Sequence, residues 1–171
     1  EGDFKDNKLE GKGRLSIKDA FILEATFKNG VPVPPVVRIF PNGDRYEGWT
    51  GNSGVYGIYS WPNGDRFEGE FRGHLPDGRG VKKFACGDTY EGKFAKGIME
   101  GKGTYTFTNG TVYAGAFSGG GMTGQGALRF ANGDRYDGAV KDGKPNGRGV
   151  YTLKDGSVRE GLFEEGKFIG N

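Results

Sequence analysis

The sequence predicts an all-β protein in which about seven antiparallel β-hairpins stack side by side into an elongated ribbon. Three observations carry this. A multi-position pattern recurs along nearly all 171 residues, at spacings of 21, 23, 23 and 23. Within each repeat, apolar and polar residues alternate with a period of two, which belongs to a strand and not to a helix. The 35 glycines, about a fifth of the chain, recur at fixed steps beside the aromatics, which make up 13%. Glycine ordered in this way does not signify disorder.

The repeat begins at Tyr46-Glu47-Gly48, Phe67-Glu68-Gly69, Tyr90-Glu91-Gly92, Tyr113-Ala114-Gly115 and Tyr136-Asp137-Gly138. With the aromatic as position 1, glycine takes position 3 and an apolar residue position 5, as in Phe71, Phe94, Phe117, Val140 and Phe163. A Gly-x-Gly pair fills positions 12 and 14 (Gly78/Gly80, Gly101/Gly103, Gly124/Gly126, Gly147/Gly149). Position 18 is large and apolar (Trp61, Phe84, Phe107, Phe130, Leu153), and an Asn-Gly-Asp-like turn such as Asn132-Gly133-Asp134 closes the unit.

Positions 1, 3 and 5 share one face of a strand, as do 14, 16 and 18. Pairing the two strands about the intervening segment sets position 1 against 18 and position 5 against 14, so each position-5 Phe is expected to shield a glycine. Asn-Gly marks a turn with positive φ. Position 2 is acidic in most units, so the other face should be solvated or ion-paired. A lone hairpin is unstable in water, so neighbouring units must share their faces. Strands ~4.8 Å apart, two per repeat, predict a ribbon roughly 70 Å long. The whole chain, 1–171, reads as one array, with units starting near 1, 23, 46, 67, 90, 113, 136 and 159.

Composition limits the function classes. Lys plus Arg number 24 and Asp plus Glu 22, interspersed, so no field steers nucleic acid. The single Cys86 cannot form an internal disulfide and fits a reducing intracellular setting. No apolar run reaches the ~18 residues of a membrane span. The first residue already lies inside a repeat, which suggests a piece of a longer array.

The pattern Tyr-Glu-Gly-x-Phe, then Gly-x-Gly-x-aromatic-x-Phe, then Asn-Gly-Asp closely resembles the MORN (membrane occupation and recognition nexus) repeat, most cleanly over residues 46–158. The resemblance implies an open single-layer ribbon with an aromatic-lined groove. It also implies a non-enzymatic scaffold or protein-interaction module, cytoskeletal or on the cytoplasmic face of a membrane. Such arrays occur in junctional membrane, radial-spoke and parasite cytoskeletal proteins, in phosphoinositide kinases and in a histone lysine methyltransferase. The family fixes fold far better than function.

Two units depart from the pattern. The one at Leu23 has Ala25 for glycine and Val31-Pro32-Val33-Pro34-Pro35-Val36 at the Gly-x-Gly turn, where proline removes ladder donors. It should lose the usual turn and bulge outward. The unit 46–66 is two residues short, with Thr50 at position 5. The last unit, from Arg159, should lack its second strand, leaving an open edge through which the array could homodimerise.

Nothing in the sequence resembles an active site, and no catalytic residue, cofactor or metal is expected. Gly101-x-Gly103 recurs without a following helix, so it is no phosphate loop. His74 and Cys86 are two ligands where zinc needs more. The binding candidates are the rings Tyr46, Phe67, Tyr90, Tyr113 and Tyr136 lining the groove, with Trp49 and Trp61 as anchors for an extended or helical peptide. The alternatives are weak binding of anionic phospholipid, phosphoinositide or phosphatidic acid, by Lys12, Arg79, Lys102 and Arg148 at position 13, or, as the resemblance implies, a role as the accessory domain of a lipid kinase or lysine methyltransferase. Arg45, Arg66 and Arg135 at position 23 each neighbour an acid, and no cluster of roughly 4–8 unneutralised cations stands out.

Overall fold

The computed structural model describes residues 1–49 and 55–171 and shows one open sheet of 16 antiparallel strands, ordered in space as in sequence. The first four are β1 (Gly2–Lys5), β2 (Lys8–Ile17), β3 (Phe21–Lys28) and β4 (Val31–Ile39). β5 (Arg45–Gly48), β6 (Val55–Ser60), β7 (Arg66–Arg72) and β8 (Leu75–Lys83) follow. The regular part comprises β9 (Thr89–Ala95), β10 (Ile98–Thr106), β11 (Val112–Ser118), β12 (Gly121–Arg129), β13 (Arg135–Lys141) and β14 (Lys144–Thr152). β15 (Val158–Glu164) and β16 (Lys167–Gly170) complete the eighth hairpin, so the last unit does have a second strand, shortened to four residues. The expected tip of the short unit, around Thr50, lies outside the described residues.

The register differs from the expected one by a physical device that spacing alone does not reveal. The hairpins whose tips are described turn tightly at positions 7 and 8, as at Lys96-Gly97 with φ of 50° and 85°, where both residues are left-handed as a type I′ turn requires. The second strand then carries two extra residues: Lys93 pairs with Glu100, but the neighbouring Gly92 pairs with Gly103. Gly101 starts this bulge at φ 72°, a conformation L side chains rarely adopt. Position 1 therefore faces position 16, as Tyr90 faces Tyr105, and position 3 faces position 14.

The result is an unbroken row of paired glycines from Gly48 on β5 to Gly161 on β15. The ring that covers them comes from position 1, not from position 5 as the spacing suggested. A methyl placed on Gly103 would lie 2.5 Å from the Tyr90 ring and meet nothing nearer. The Tyr90 hydroxyl crosses both glycines and donates to the Lys93 carbonyl at 2.9 Å, and Tyr113 repeats this with Ala116. The position-5 rings fill the gaps edge-on: Phe94 stands 5.1 Å from Tyr90 and 4.8 Å from Phe67. Phe117 likewise links Tyr113 to Tyr90. Such T-shaped contacts suit the ring quadrupoles, so the core is a zigzag along the ribbon.

The Leu23 unit keeps this plan with other residues. Thr26 pairs with Val33 and Glu24 with Val37, so two extra residues sit at Pro34-Pro35, where a bulge needs no ladder donor. The segment stays in the sheet as β4 and does not loop out. Leu23, Ala25 and the buried Val36 stand where other units place a ring over two glycines; small side chains there replace a large one.

Tyr90→Ala should cost about 3–5 kcal/mol by removing a buried ring, and Gly103→Ala about 1–3 kcal/mol by pushing that ring away. In the double variant the clash is gone, so the costs should fall short of additivity by roughly 1 kcal/mol or more in denaturant melts. Additive costs would show that the ring does not rest on the glycine.

Candidate functional site

The ring face is closed. Phe67, Tyr90, Tyr113 and Tyr136 are fully buried and Tyr46 is 6% exposed. The expectation that these rings line an open groove is thus corrected: each is covered by position-5 rings and by neighbours such as Met99 and Met122 packed against the cluster. Trp61 is half-buried, packed against Tyr59 and beneath the Lys82 ammonium. Trp49 is 57% exposed, and its N–H donates to the Tyr56 carbonyl.

The turn edge of the ribbon is occupied by structural polar chemistry. The glycines there are left-handed, from Gly43 at φ 86° to Gly133 at φ 95°, while the preceding Asn supplies its side-chain carbonyl, as Asn132 does to the Asp134 N–H at 3.0 Å. Where an Asp closes the turn, at Asp44, Asp65, Asp88 and Asp134, it reaches the next repeat. Asp88 accepts the Thr108 N–H at 2.9 Å and the Tyr105 hydroxyl at 2.8 Å, and Asp134 accepts the Lys154 N–H and the Tyr151 hydroxyl. In one repeat Lys82 replaces the tyrosine, bridging Asp65 at 3.1 Å.

These contacts shift titrations in a common direction. Asp88 and Asp134 are held below the usual carboxylate range by the backbone N–H of Thr108 and of Lys154 respectively, then by the tyrosine hydroxyls. Burial works against this at Asp65, yet the Ala85 N–H and Lys82 bring it below as well. Burial, then hydrogen bonding to Asp134, pushes Tyr151 up to about 12, and burial takes Tyr90 to about 12.

The opposite face carries a depression of about 850 Å³ across β6 to β10. Its apolar surface is Tyr56 and Val81 beside the glycine backbone, and its rim is Glu68, Glu70, Glu91, Arg79, Lys93 and Lys102. Smaller depressions on the same face include Lys12, Arg14 and Val37 at one end of the ribbon and Arg148, Val150 and Glu160 toward the other. The charges are differently committed. Arg45, Arg66 and Arg135 bind the acid two residues along their own strands, Glu47, Glu68 and Asp137. The four position-13 cations are exposed on this face at the bulges and make no ion pair among the described residues. They form a sparse line with at most one per hairpin, not a compact cluster.

Spacing pointed to Arg79 and Lys102 but missed Tyr56, Val81, Lys93 and Thr104. The signal was the weak apolar preference of position 15, visible in Ile58, Val81, Ala127 and Val150. His74 and Cys86, both exposed, sit in turns at opposite ends of β8 and are not brought together. Among the described residues no group of three or more His, Cys, Asp or Glu is placed to hold a metal. No described helix is long and apolar enough to cross a membrane, which leaves strand-built spans unaddressed.

A glycine-ring ladder with one sealed face and one grooved face defines a β-hairpin repeat scaffold. The MORN repeat model matches residues 1–19, 51–66, 67–89, 90–112, 113–135 and 136–158, and the chain belongs to the MORN repeat family. The unmatched stretch 20–50 contains the Leu23 unit. Among solved structures the chain is similar to the SAS-4 (dCPAP) TCP domain of Drosophila melanogaster, in complex with a proline-rich motif of Ana2 (dSTIL). Identity is 14% and the TM-score 0.52, over 89% of this chain and 90% of that one. The wild-type TCP10 domain of Danio rerio CPAP matches with 15% identity and a TM-score of 0.31, over 85% of this chain and 69% of that one. At these identities the likeness concerns fold alone. No curated protein matches the chain.

Asp65, Asp88 and Asp134 have depressed folded-state values, so their stabilisation is present above about pH 4, the unfolded value, and is lost as pH falls through the lower folded values. Tyr90 and Tyr151 are raised, so their contribution is present below about pH 10 and is lost as pH rises toward the folded values. Thermal melts should therefore fall at both extremes, and Asp88→Asn with Asp134→Asn should flatten the acid limb. An unchanged acid limb in that variant would assign it to other groups.

Proposed function

We propose that the chain is a non-enzymatic scaffold that holds a peptide segment of a partner protein on its ring-free face. The depression over β6 to β10 carries this reading. It joins the exposed Tyr56 ring, the half-buried Val81, half-buried glycine backbone and unpaired charged groups on the face that ring packing leaves open. Among the described residues the opposite face is filled by aromatic rings that are consumed by the core. The related fold seen bound to a proline-rich motif supports a peptide as ligand. The cytoskeletal or membrane-apposed settings implied by the family fit a module whose work is to hold partners in place. The line of single cations interleaved with carboxylates gives less support to an anionic lipid surface, which rewards clustered charge.

The test is selection of peptides from a displayed random library by the 171-residue chain, followed by affinity measurement against Val81→Arg with Thr104→Arg. Both substitutions put long charged side chains into the depression at positions that are not fully buried. Selected peptides should lose tenfold or more in affinity while the circular dichroism spectrum and melting temperature stay close to wild type. Peptides that bind the folded double variant equally well would remove this face as the site.

A further inference from the structure

The ring-free face is periodic, and its period restricts what can lie along it. Glu68, Val81, Glu91 and Thr104 in the central depression face one another in turn on β7, β8, β9 and β10, and Ile58 on β6 continues the row beside it, so apolar or small residues alternate with carboxylates. Equivalent positions recur once per hairpin, two strands or ~9.6 Å apart. A polyproline II helix advances ~3.1 Å per residue with three residues per turn, hence ~9.3 Å per turn. One turn of such a ligand thus matches one hairpin. An extended strand repeats a side chain on one face every ~6.7 Å, and two α-helical turns take ~10.8 Å, so both drift out of step along the ribbon.

The sign of the ligand's charge follows from which groups are already satisfied. Glu68 is taken by Arg66 at 2.9 Å and by the Tyr56 hydroxyl at 3.2 Å, and Glu70 accepts the Arg79 N–H at 3.0 Å. Arg79 stands directly opposite Lys93 across β8 and β9, a like-charge pair offset in part by Glu100, which faces Lys93 from β10, and relieved further when an anion approaches Arg79. Neither has an ion-pair partner among the described residues, nor has Lys102 on the next strand; of the rim carboxylates Glu91 is likewise without one, so three free cations stand against one free anion. Arg79, Lys102 and Arg148 occupy the same position of successive repeats, with the neutral Gln125 filling the place between the last two.

We infer that the ribbon binds a polyproline II segment running along its long axis, with an acidic side chain at every third residue. The acids meet Arg79 and Lys102 one turn apart and Arg148 two turns further on. The intervening prolines ride over the row that Val81 and Thr104 begin, and a turn preceding Arg79 reaches Ile58. This rests on the peptide-binding reading above, and adds to it a conformation, a direction and a charge code.

Fluorescein-labelled (Glu-Pro-Pro)5 is about 47 Å long in this conformation, close to five hairpins. Titrated with the 171-residue chain near physiological salt, it should bind at least tenfold tighter than (Gln-Pro-Pro)5, (Lys-Pro-Pro)5 or a Glu-Pro alternating peptide of equal charge. Arg79→Glu with Lys102→Glu, both at exposed positions, should reverse the preference toward (Lys-Pro-Pro)5, with the fold checked by circular dichroism. Equal or tighter binding of the lysine or alternating peptide by wild type overturns the inference. If none of these bind while a library-selected peptide remains sensitive to Val81→Arg with Thr104→Arg, the charge code falls and the peptide-binding reading stands. Failure of every peptide, with phosphatidylserine vesicles bound through Arg79 and Lys102, would sink both.

Discussion

The structure depends on an aromatic ring lying flat across two glycines that face each other on adjacent strands. A single-layer sheet has no second layer to bury its apolar face, so the rings must find their partner within the sheet. Removing the side chains at positions 3 and 14 opens a slot one ring deep, and Tyr90 fills the slot over Gly92 and Gly103. The ring then contacts backbone below and the edges of Phe94 and Phe117 at its sides. Each position-5 ring touches the position-1 rings of two repeats, so burial is complete only where neighbours are present on both sides. This makes each repeat a fraction of a core, as expected of a one-dimensional array.

Other features follow from keeping that slot aligned. A plain hairpin from the position 7–8 turn would set position 3 against position 12; the two-residue bulge is what brings the glycines face to face. In the units with Gly-x-Gly the bulge starts on a left-handed residue, which explains the first glycine, while the second serves the ring. The turn aspartates act along the other direction. Because Asp88 accepts a backbone N–H twenty residues later, it fixes the rotation of one hairpin against the next. The Leu23 unit shows that the slot is a volume requirement and not a glycine requirement, since Leu23, Ala25 and Val36 preserve register and bulge together.

Fold class, repeat boundaries and the shared face of positions 1, 3 and 5 were legible in the sequence because strand alternation and a 23-residue period do not depend on tertiary detail. The register was not. Positions 12 and 13 are covalently ordinary, and nothing in Gly101-Lys102 announces that both are skipped by the ladder. That two-residue shift carried the larger error. With position 1 set against 18, the tyrosines seemed to border an open groove; with position 1 over the glycines, they become core. It also hid the pairing of position 2 with position 15, and so the row in which Val81 sits between Glu68 and Glu91. Proline in β4 misled for a related reason: its missing N–H matters only inside a ladder, and here the prolines occupy the bulge.

Sealing one face has a functional consequence that separates this architecture from a two-layer sandwich. In a sandwich the outer faces are interchangeable solvent-facing surfaces, and binding is usually delegated to loops. Here the described turns are tight, and those closed by Asp are held by Asp–Tyr and Asp–backbone contacts, leaving little loop to vary. Variation falls on side chains at positions 2, 4, 13 and 15 on a backbone that the other face keeps in step. Such a surface discriminates by period as well as by chemistry, because a ligand must match the hairpin spacing before several of its side chains can engage at once. Affinity then accumulates with the number of repeats in step, and a partner with the right residues at the wrong interval engages only one unit. A change from Arg79 to Gln, as position 13 already shows at Gln125, alters one site of such a code without disturbing the ring ladder behind it.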